Sequence, residues 1–173
     1  CYLLNDWESI GYSLPLMTEN DFKTVKRGYL ESNQTCLAIG PGTGLGFSVL
    51  RHVGNVPYVY PTELGNARSF NDYLSNLFEI EHSKNFIVLE DYLSGTGIKK
   101  IYAEKSGKNL TTEEIVSDYL DDDLATYILN NFVIALNNIL QDLALTFNAR
   151  GGIFFAGSLM RTISEISSIN YIK

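Results

Sequence analysis

Apolar and polar positions fall along this chain in blocks that read as strands and helices divided by glycine-rich breaks. Residues 1–17, CYLLNDWESIGYSLPLM, open with Tyr2, Leu3 and Leu4, a run that predicts a short buried strand. The polar pair Asn5-Asp6 follows. Trp7, Ile10 and Leu14 then recur at helical spacing, with Asp6 suited to the N-cap and Pro15 ending the helix. Residues 18–34 are polar and predict a connector with one weak strand or helix. Next, TCLAIG and LGFSVLRHV flank a glycine-rich turn; a β-prone run after the glycines predicts a hairpin. VPYVYPTELG is again extended, and Pro57 and Pro61 limit it to an edge or an end.

Helical patterning returns in SFNDYLSNLFEIEHS and in LEDYLSGTGIKKIYAEK, the latter interrupted by Gly95 and Gly97. Thr111 and Glu114 form a capping-box pattern for a helix through Tyr119. The longest helix, near residues 124–148, carries Leu124, Ile128, Phe132, Leu136, Ile139, Leu140, Leu143 and Phe147 on one stripe, a spacing that predicts packing lengthwise against a sheet. Gly151 and Gly152 are expected to stop it. IFFAG then reads as a buried strand, and Gly157-Ser158 turns the chain into a last helix. Helix, strand, glycine turn and helix in succession predict an α/β architecture.

The 173 residues suffice for one domain with a real core, and 45% hydrophobic against 19% charged residues excludes intrinsic disorder. A net charge of -7 disfavours a nucleic-acid partner, because an acidic surface repels phosphate. No apolar run approaches the ~20 residues needed to span a bilayer, since Asn130, Asn131, Asn137, Asn138 and Asp142 break the long helical stripe. Cys1 and Cys36 form no CxxC pair, and the sequons at Asn33 and Asn109 follow no charged, apolar leader. Together these predict a soluble protein of a reducing compartment. That the chain begins with Cys1, already reading as the end of a strand, predicts a piece of a larger protein.

Several chemistries lack their residues. The sequence holds no GxxxxGK[ST] phosphate loop, no GxSxG elbow and no HExxH pair, and His52 and His82 stand in unrelated polar contexts that predict surface residues. Three constellations remain. GPGTGLG, from Gly40 to Gly46, is either a phosphate-binding loop of backbone amides and the Thr43 hydroxyl or a plain hairpin turn. Asn5-Asp6, emerging where a buried strand ends, offers either a carboxylate that takes a proton from a substrate hydroxyl or a helix cap. Glu63 and Glu90 are either hydroxyl-binding carboxylates or solvated surface charge.

Taken together, LNDWESIGYSLP, IGPGTGLGFS, PTELGN, LEDYLSGTGI and GGIFFAGSL occur in the order and approximate spacing of bacterial-type glucokinases, and nearly the whole chain resembles that family of the actin-like ATPase (sugar kinase) superfamily. The resemblance implies an actin-like ATPase (ribonuclease H-like) fold with a mixed sheet and flanking helices. It assigns residues 1–17 to the hinge-side end of a small domain and 18–173 to a large domain with a truncated C-terminus. It implies transfer of the ATP γ-phosphate to the glucose 6-hydroxyl, the first step of glycolysis, with Mg²⁺ carried on ATP, in a cytoplasmic enzyme expected to form a homodimer. Asp6 then matches the general base; Asn5, Glu63, Asn66 and Glu90 match sugar-binding positions. Gly42, Thr43 and Gly44 match the second phosphate loop, and Gly157 the turn beside the adenosine.

Three departures qualify this. Glu63-Leu64-Gly65-Asn66 stands where the family usually has Glu-Gly-Gly-His, which puts sugar identity in question. Gly157-Ser158 replaces Gly-Gly. The family's first phosphate loop, Asp-x-Gly-Gly-Thr, and its C-terminal segment do not occur in these residues, so the chain alone is expected not to turn over. The alternatives are a kinase for another hexose and a non-catalytic sugar-binding relative.

Overall fold

A computed structural model describes residues 3–29, 31–81 and 84–166. The chain opens with helix α1 (Asp6–Ser13), extended by a 3₁₀ turn (Leu14–Leu16), and then builds three antiparallel strands, β1 (Cys36–Pro41), β2 (Leu45–Val53) and β3 (Val56–Pro61). After a 3₁₀ turn at Leu64–Asn66 come α2 (Asn71–Phe78), a further 3₁₀ turn (Leu89–Asp91), α3 (Gly95–Ser106), α4 (Thr112–Ser117) and the long α5 (Asp123–Phe147). Strand β4 (Gly152–Phe155) returns parallel to β1, and α6 (Ser158–Glu165) follows. The sheet order β3-β2-β1-β4 is mixed, as an α/β reading requires.

Period-2 alternation gives the sheet two apolar faces. Leu37, Ile39, Phe47 and Val49 point into the main core, which they share with α2, α3, α4, α5 and α6. Ala38, Leu50 and Val59 point the other way, under Leu14, Trp7 and Ile10 of the α1 segment. Helices therefore cover both faces. Phe132, Ile128 and Leu129 are fully buried along α5, each contributing roughly 1.5–3 kcal/mol of burial before ordering costs. The connector at residues 18–34 forms no helix or strand among its described residues. It is held down by an edge-on contact of Phe22 with Phe154, at 5.7 Å between centroids, and by an Arg150–Glu31 ion pair.

Several sequence expectations are revised. Leu3 and Leu4 lie outside any strand and are exposed, while Cys1, Tyr2 and His82 fall outside the described residues. The α-helix ends at Ser13, just before Pro15 as expected, and Pro15 itself sits in the short 3₁₀ turn that follows, at an early position where its missing N–H costs nothing. Gly95 and Gly97 do not interrupt a helix. They begin α3, behind a Ser94 N-cap whose hydroxyl accepts from the Gly97 amide at 2.9 Å. Helix α2 ends at Phe78 because Glu79 turns left-handed at φ 51°, and α4 ends at Ser117, short of Tyr119. Helix α5 is closed by Asn148 at φ 49°, three residues before the glycines expected to stop it. Its stripe shares one core with α2, α3, α4 and the sheet residues Leu37, Ile39, Phe47 and Val49, and its C-terminal end meets the sheet through Phe147 and Phe47, 5.9 Å apart. At 25 residues α5 is long and apolar enough to cross a membrane by length and composition, but here its stripe is buried in the core. Strand β4 is only half-buried, since it stands at an edge of the sheet among the described residues.

Helix α1 can lie close to the sheet because Gly11 faces it. A Cβ there would stand 2.8 Å from Val59 Cγ1 and 3.0 Å from Ser48 Oγ. Gly11→Ala gains about 1 kcal/mol of helix propensity and costs about 1–3 kcal/mol of overpacking. The expected net result is a loss of about 1 kcal/mol in urea unfolding, with faster amide exchange confined to α1. A more stable Gly11→Ala protein would show that Val59 yields without cost.

Candidate functional site

The candidate residues gather where β1 ends and β2 begins. Gly40 and Gly46 face each other across this ladder, and together they leave a gap in the sheet surface. The Trp7 indole fills it: a Cβ on Gly46 would overlap the ring outright, and one on Gly40 would also stand 2.5 Å from the Ala156 carbonyl. Trp7 thus anchors the first turn of α1 beside the β1–β2 loop.

Asn5, not Asp6, caps that helix, which corrects the sequence assignment. The Asn5 Oδ1 accepts from the Glu8 amide at 2.6 Å, and Glu8 Oε2 accepts from the Asn5 amide at 3.1 Å, a complete capping box. Asp6 is the first helical residue. Its Oδ1 accepts from the Trp7 amide at 3.0 Å, and Oδ2 has no partner among the described residues. The cap therefore uses Asn5 Oδ1 and the Asn5 backbone N–H and leaves Asn5 Nδ2 and one Asp6 oxygen without a partner among the described residues at the helix mouth, where both residues are exposed.

The loop itself divides its labour. Gly42 N–H donates to the Gly44 carbonyl at 2.8 Å, closing the turn, and the Gly42 carbonyl accepts from Gly95 N–H at 2.7 Å, tying the loop to the start of α3. Among the described residues, the amides of Thr43 and Gly44 and the Thr43 hydroxyl have no partner, so these are the donors open to an anion. Gly42 has open space around its Cβ position, and Thr43 is exposed. Across the loop, Gly157 stands at φ 104° at the N-terminus of α6, with its Cβ position 3.7 Å from the Pro41 carbonyl; the positive φ explains the glycine.

Glu90 joins this loop to the Glu63 region. Its Oε2 accepts from Leu45 N–H at 3.3 Å, and the same oxygen stands 2.7 Å from the Cβ position of Gly44 and 2.9 Å from that of Gly65. Side chains at either glycine would push the carboxylate away. Gly65 lies in the 3₁₀ turn between Glu63 and Asn66, whose side chains meet at the outer limit of a hydrogen bond, 3.5 Å from Asn66 Nδ2 to Glu63 Oε2. Both are exposed. Glu90, Gly44, Glu63 and Asn66 are thus brought together, and Gly157 abuts the same strand end. No hydrogen bond links Asn5 or Asp6 to Glu63, Asn66 or Glu90 among the described residues; these two enter the site from α1, seated by Trp7. A cavity of about 290 Å³ lies away from this region, between Leu14, Cys36, His52 and Phe154, and touches none of the candidate residues.

Behind Glu90 stands a support that sequence reading missed. Asp91 Oδ2 accepts from the amides of Ile87 and Val88 at 2.9 and 3.0 Å, and Oδ1 pairs with Lys100 Nζ at 2.5 Å. Ser94, fully buried, donates to the Glu90 carbonyl at 2.7 Å. Burial alone would raise the Asp91 pKa, but the Lys100 hydrogen bond and the two amides outweigh it and hold the carboxyl below its ordinary 3.8. A depressed folded-state pKa gives stability that is complete above that ordinary value and lost as pH falls through the folded one. Asp91→Asn is therefore expected to cost about 2 kcal/mol at neutral pH and to flatten the acid limb of a stability-against-pH profile, read by urea midpoints. An unchanged acid limb would refute the assignment.

The family model of glucokinase matches residues 1–169 of this chain. A glucokinase of Helicobacter pylori (strain P12) is 30% identical over 176 residues, covering 91% of this chain and 52% of the relative. The chain spans about half the length of the curated relatives it matches. Among solved structures, a glucokinase from an Antarctic psychrotroph superposes with a TM-score of 0.74 at 26% identity, over 94% of this chain and 54% of that one. A ROK-family glucokinase from Streptomyces griseus, solved with glucose and AMPPNP, shares the fold with a TM-score of 0.55 at 17% identity, over 76% of this chain and 47% of its own. A mixed sheet with helices on both faces, a glycine-threonine loop at the end of its first strand and a family match over nearly every residue lead to one conclusion: the chain belongs to the glucokinase family.

Proposed function

We propose that this chain carries the sugar- and ATP-binding part of an ATP-dependent glucokinase, which moves the γ-phosphate of ATP to the 6-hydroxyl of glucose. The observation that carries this reading is Glu90, one carboxylate shared between the glycine-threonine loop and the turn that holds Glu63 and Asn66. An enzyme that transfers phosphate to a sugar must hold an alcohol in line with a γ-phosphate, so a sugar site and a phosphate site must share a wall. Glu90 is such a wall.

In this mechanism Asn5, Glu63, Asn66 and Glu90 hold the sugar hydroxyls. Carboxylates that read hydroxyls discriminate against analogues lacking them, because an acceptor that bound sugar shields from water is then left unpaired. Asp6, relieved of capping by Asn5, offers Oδ2 to the 6-hydroxyl and takes its proton as the oxygen bonds to the γ-phosphorus; the bond from that phosphorus to the bridging oxygen breaks, and ADP leaves with its electron pair. The amides of Thr43 and Gly44 and the Thr43 hydroxyl receive phosphate oxygens, with Gly42 shaping the turn and Gly157 leaving room beside the adenosine. Mg²⁺ carried on ATP as part of the substrate would neutralise charge on its phosphates. The same reading assigns residues 1–17 to the hinge-side end of a small domain and 18–173 to a large domain, with α1 docked on the large domain's sheet through Trp7, Ile10 and Leu14. Closure of the two over sugar would exclude water. The same reading takes the intact enzyme to be a cytoplasmic homodimer without nucleic-acid or membrane partners.

Asp6→Asn in the intact enzyme tests the chemistry. The expected result is a fall in kcat of about 100-fold or more with glucose affinity nearly kept, since the amide cannot accept the proton but still hydrogen-bonds. Activity within a few-fold of the parent would overturn the base assignment.

One observation favours a second reading, a kinase for another hexose: Asn66 is shorter than the family's histidine and leans on Glu63 at 3.5 Å. Asn66→His is expected to tighten glucose binding several-fold, on the order of one neutral hydrogen bond of about 1 kcal/mol. Rates with glucose, mannose, fructose and N-acetylglucosamine decide between the sugars, and glucose as the poorest substrate would sink the first reading.

A further inference from the structure

We infer that Trp7 is a positioning residue for phosphoryl transfer: its indole, seated on the Gly40–Gly46 pair, fixes the distance between the Asp6 carboxylate and the glycine-threonine loop. This rests on the proposed role of Asp6. The two residues are adjacent, and they are coupled directly, since the Trp7 amide donates to Asp6 Oδ1 at 3.0 Å. That bond orients the carboxylate and leaves Oδ2 as its free oxygen. At its other end the indole meets backbone in place of side chains. Gly40 and Gly46 are register partners, Cβ atoms at either would collide with the ring, and the Ala156 carbonyl closes the slot from the side of β4.

The slot lies one residue outside the Pro41↔Leu45 pair that bounds the loop, and Leu45 is the residue whose amide binds Glu90. One rigid ring therefore spans from the helix bearing Asp6 to the strand ends that carry the phosphate loop and the Glu90 contact. Elsewhere α1 is seated by Gly11 on Val59 and by Leu14, contacts that hold the helix down without fixing the position of its first turn. A flat ring with few rotamers, pressed on backbone, fixes it far better than an aliphatic side chain would. Displacement of a reacting group by ~1 Å costs on the order of 100-fold in rate, so such a seat bears on kcat and leaves ground-state binding nearly untouched.

The test is made in the intact enzyme by steady-state kinetics with glucose and ATP, glucose binding being read separately by calorimetry. Trp7→Ala is expected to lower kcat by about 10–100-fold while the Kd for glucose and the KM for ATP stay within about threefold. Gly46→Ala, which expels the ring from its slot, is expected to do the same, and Trp7→Phe to recover much of the loss. In an Asp6→Asn background Trp7→Ala should lower kcat by less than about twofold, because Trp7 acts through the group already removed. Full additivity there, or parallel losses in kcat and glucose binding, would mean that Trp7 merely supports the fold and would overturn the inference. So would unchanged kcat in Trp7→Ala. Should Trp7→Ala fail to fold, Trp7→Phe and Gly46→Ala carry the same comparison. An Asp6→Asn enzyme of ordinary activity would instead defeat the base assignment itself.

Discussion

Two glycines facing each other across a β-ladder open a slot in this sheet that admits an aromatic ring. Everything at the candidate site follows from that absence of side chains. The Trp7 indole enters the slot, α1 is drawn onto the sheet, and its first turn arrives beside the loop that joins β1 to β2. The other face of the same strands is filled conventionally by Leu37, Ile39, Phe47 and Val49 against the helical core. The sheet thus has a stiff side and a docking side. The chemistry sits at the docking side's end, where Gly44 is kept bare for the same steric reason, its Cβ position standing 2.7 Å from Glu90 Oε2.

A second layer of constraint holds Glu90. Its own backbone lies in a 3₁₀ turn secured by Asp91, Lys100 and Ser94, and its carboxylate rests against two more glycines, Gly44 and Gly65. Glycines recur at this site because backbone, carboxylate and ring approach one another more closely than any Cβ permits. That is the common cause behind motifs that are scattered through the sequence as GPGTGLG, ELGN and SGTG.

Much of the fold was legible because it rests on periodicity. The hairpin, the edge position of the proline-bearing β3 and the capping box at Thr111 all depend on local patterns and were present as expected. What escaped was decided by tertiary contact or by a single dihedral angle. Gly95 and Gly97 looked like helix breakers, but Gly95 must approach the Gly42 carbonyl, and that contact places them at a helix start. Helix α5 ends on a left-handed asparagine, a conformation Asn shares with glycine. Asp6 looked like a cap because Asp and Asn are equally good caps, and only the Glu8 partner three residues past Asn5 distinguishes them. Asn5, Asp6, Glu63, Asn66 and Glu90 were singled out from residue type and motif order, yet Trp7 was read only as one position of a helical pattern with Ile10 and Leu14. The signal that could have found it was the symmetric pair of glycines flanking the turn, opposite the chain's single tryptophan.

The Leu45–Glu90 hydrogen bond has a thermodynamic corollary. A carboxylate with one oxygen on a loop amide and the other toward solvent is a lever with two arms. Anything that draws on the outer oxygen redistributes charge on the inner one and alters its hold on the loop. Coupling free energies are reciprocal, so whatever fraction of its binding a hydroxylated ligand passes to the loop, an anion on the loop must return in equal measure. Two ligands that never touch the same atom would then report on each other through a single 3.3 Å contact.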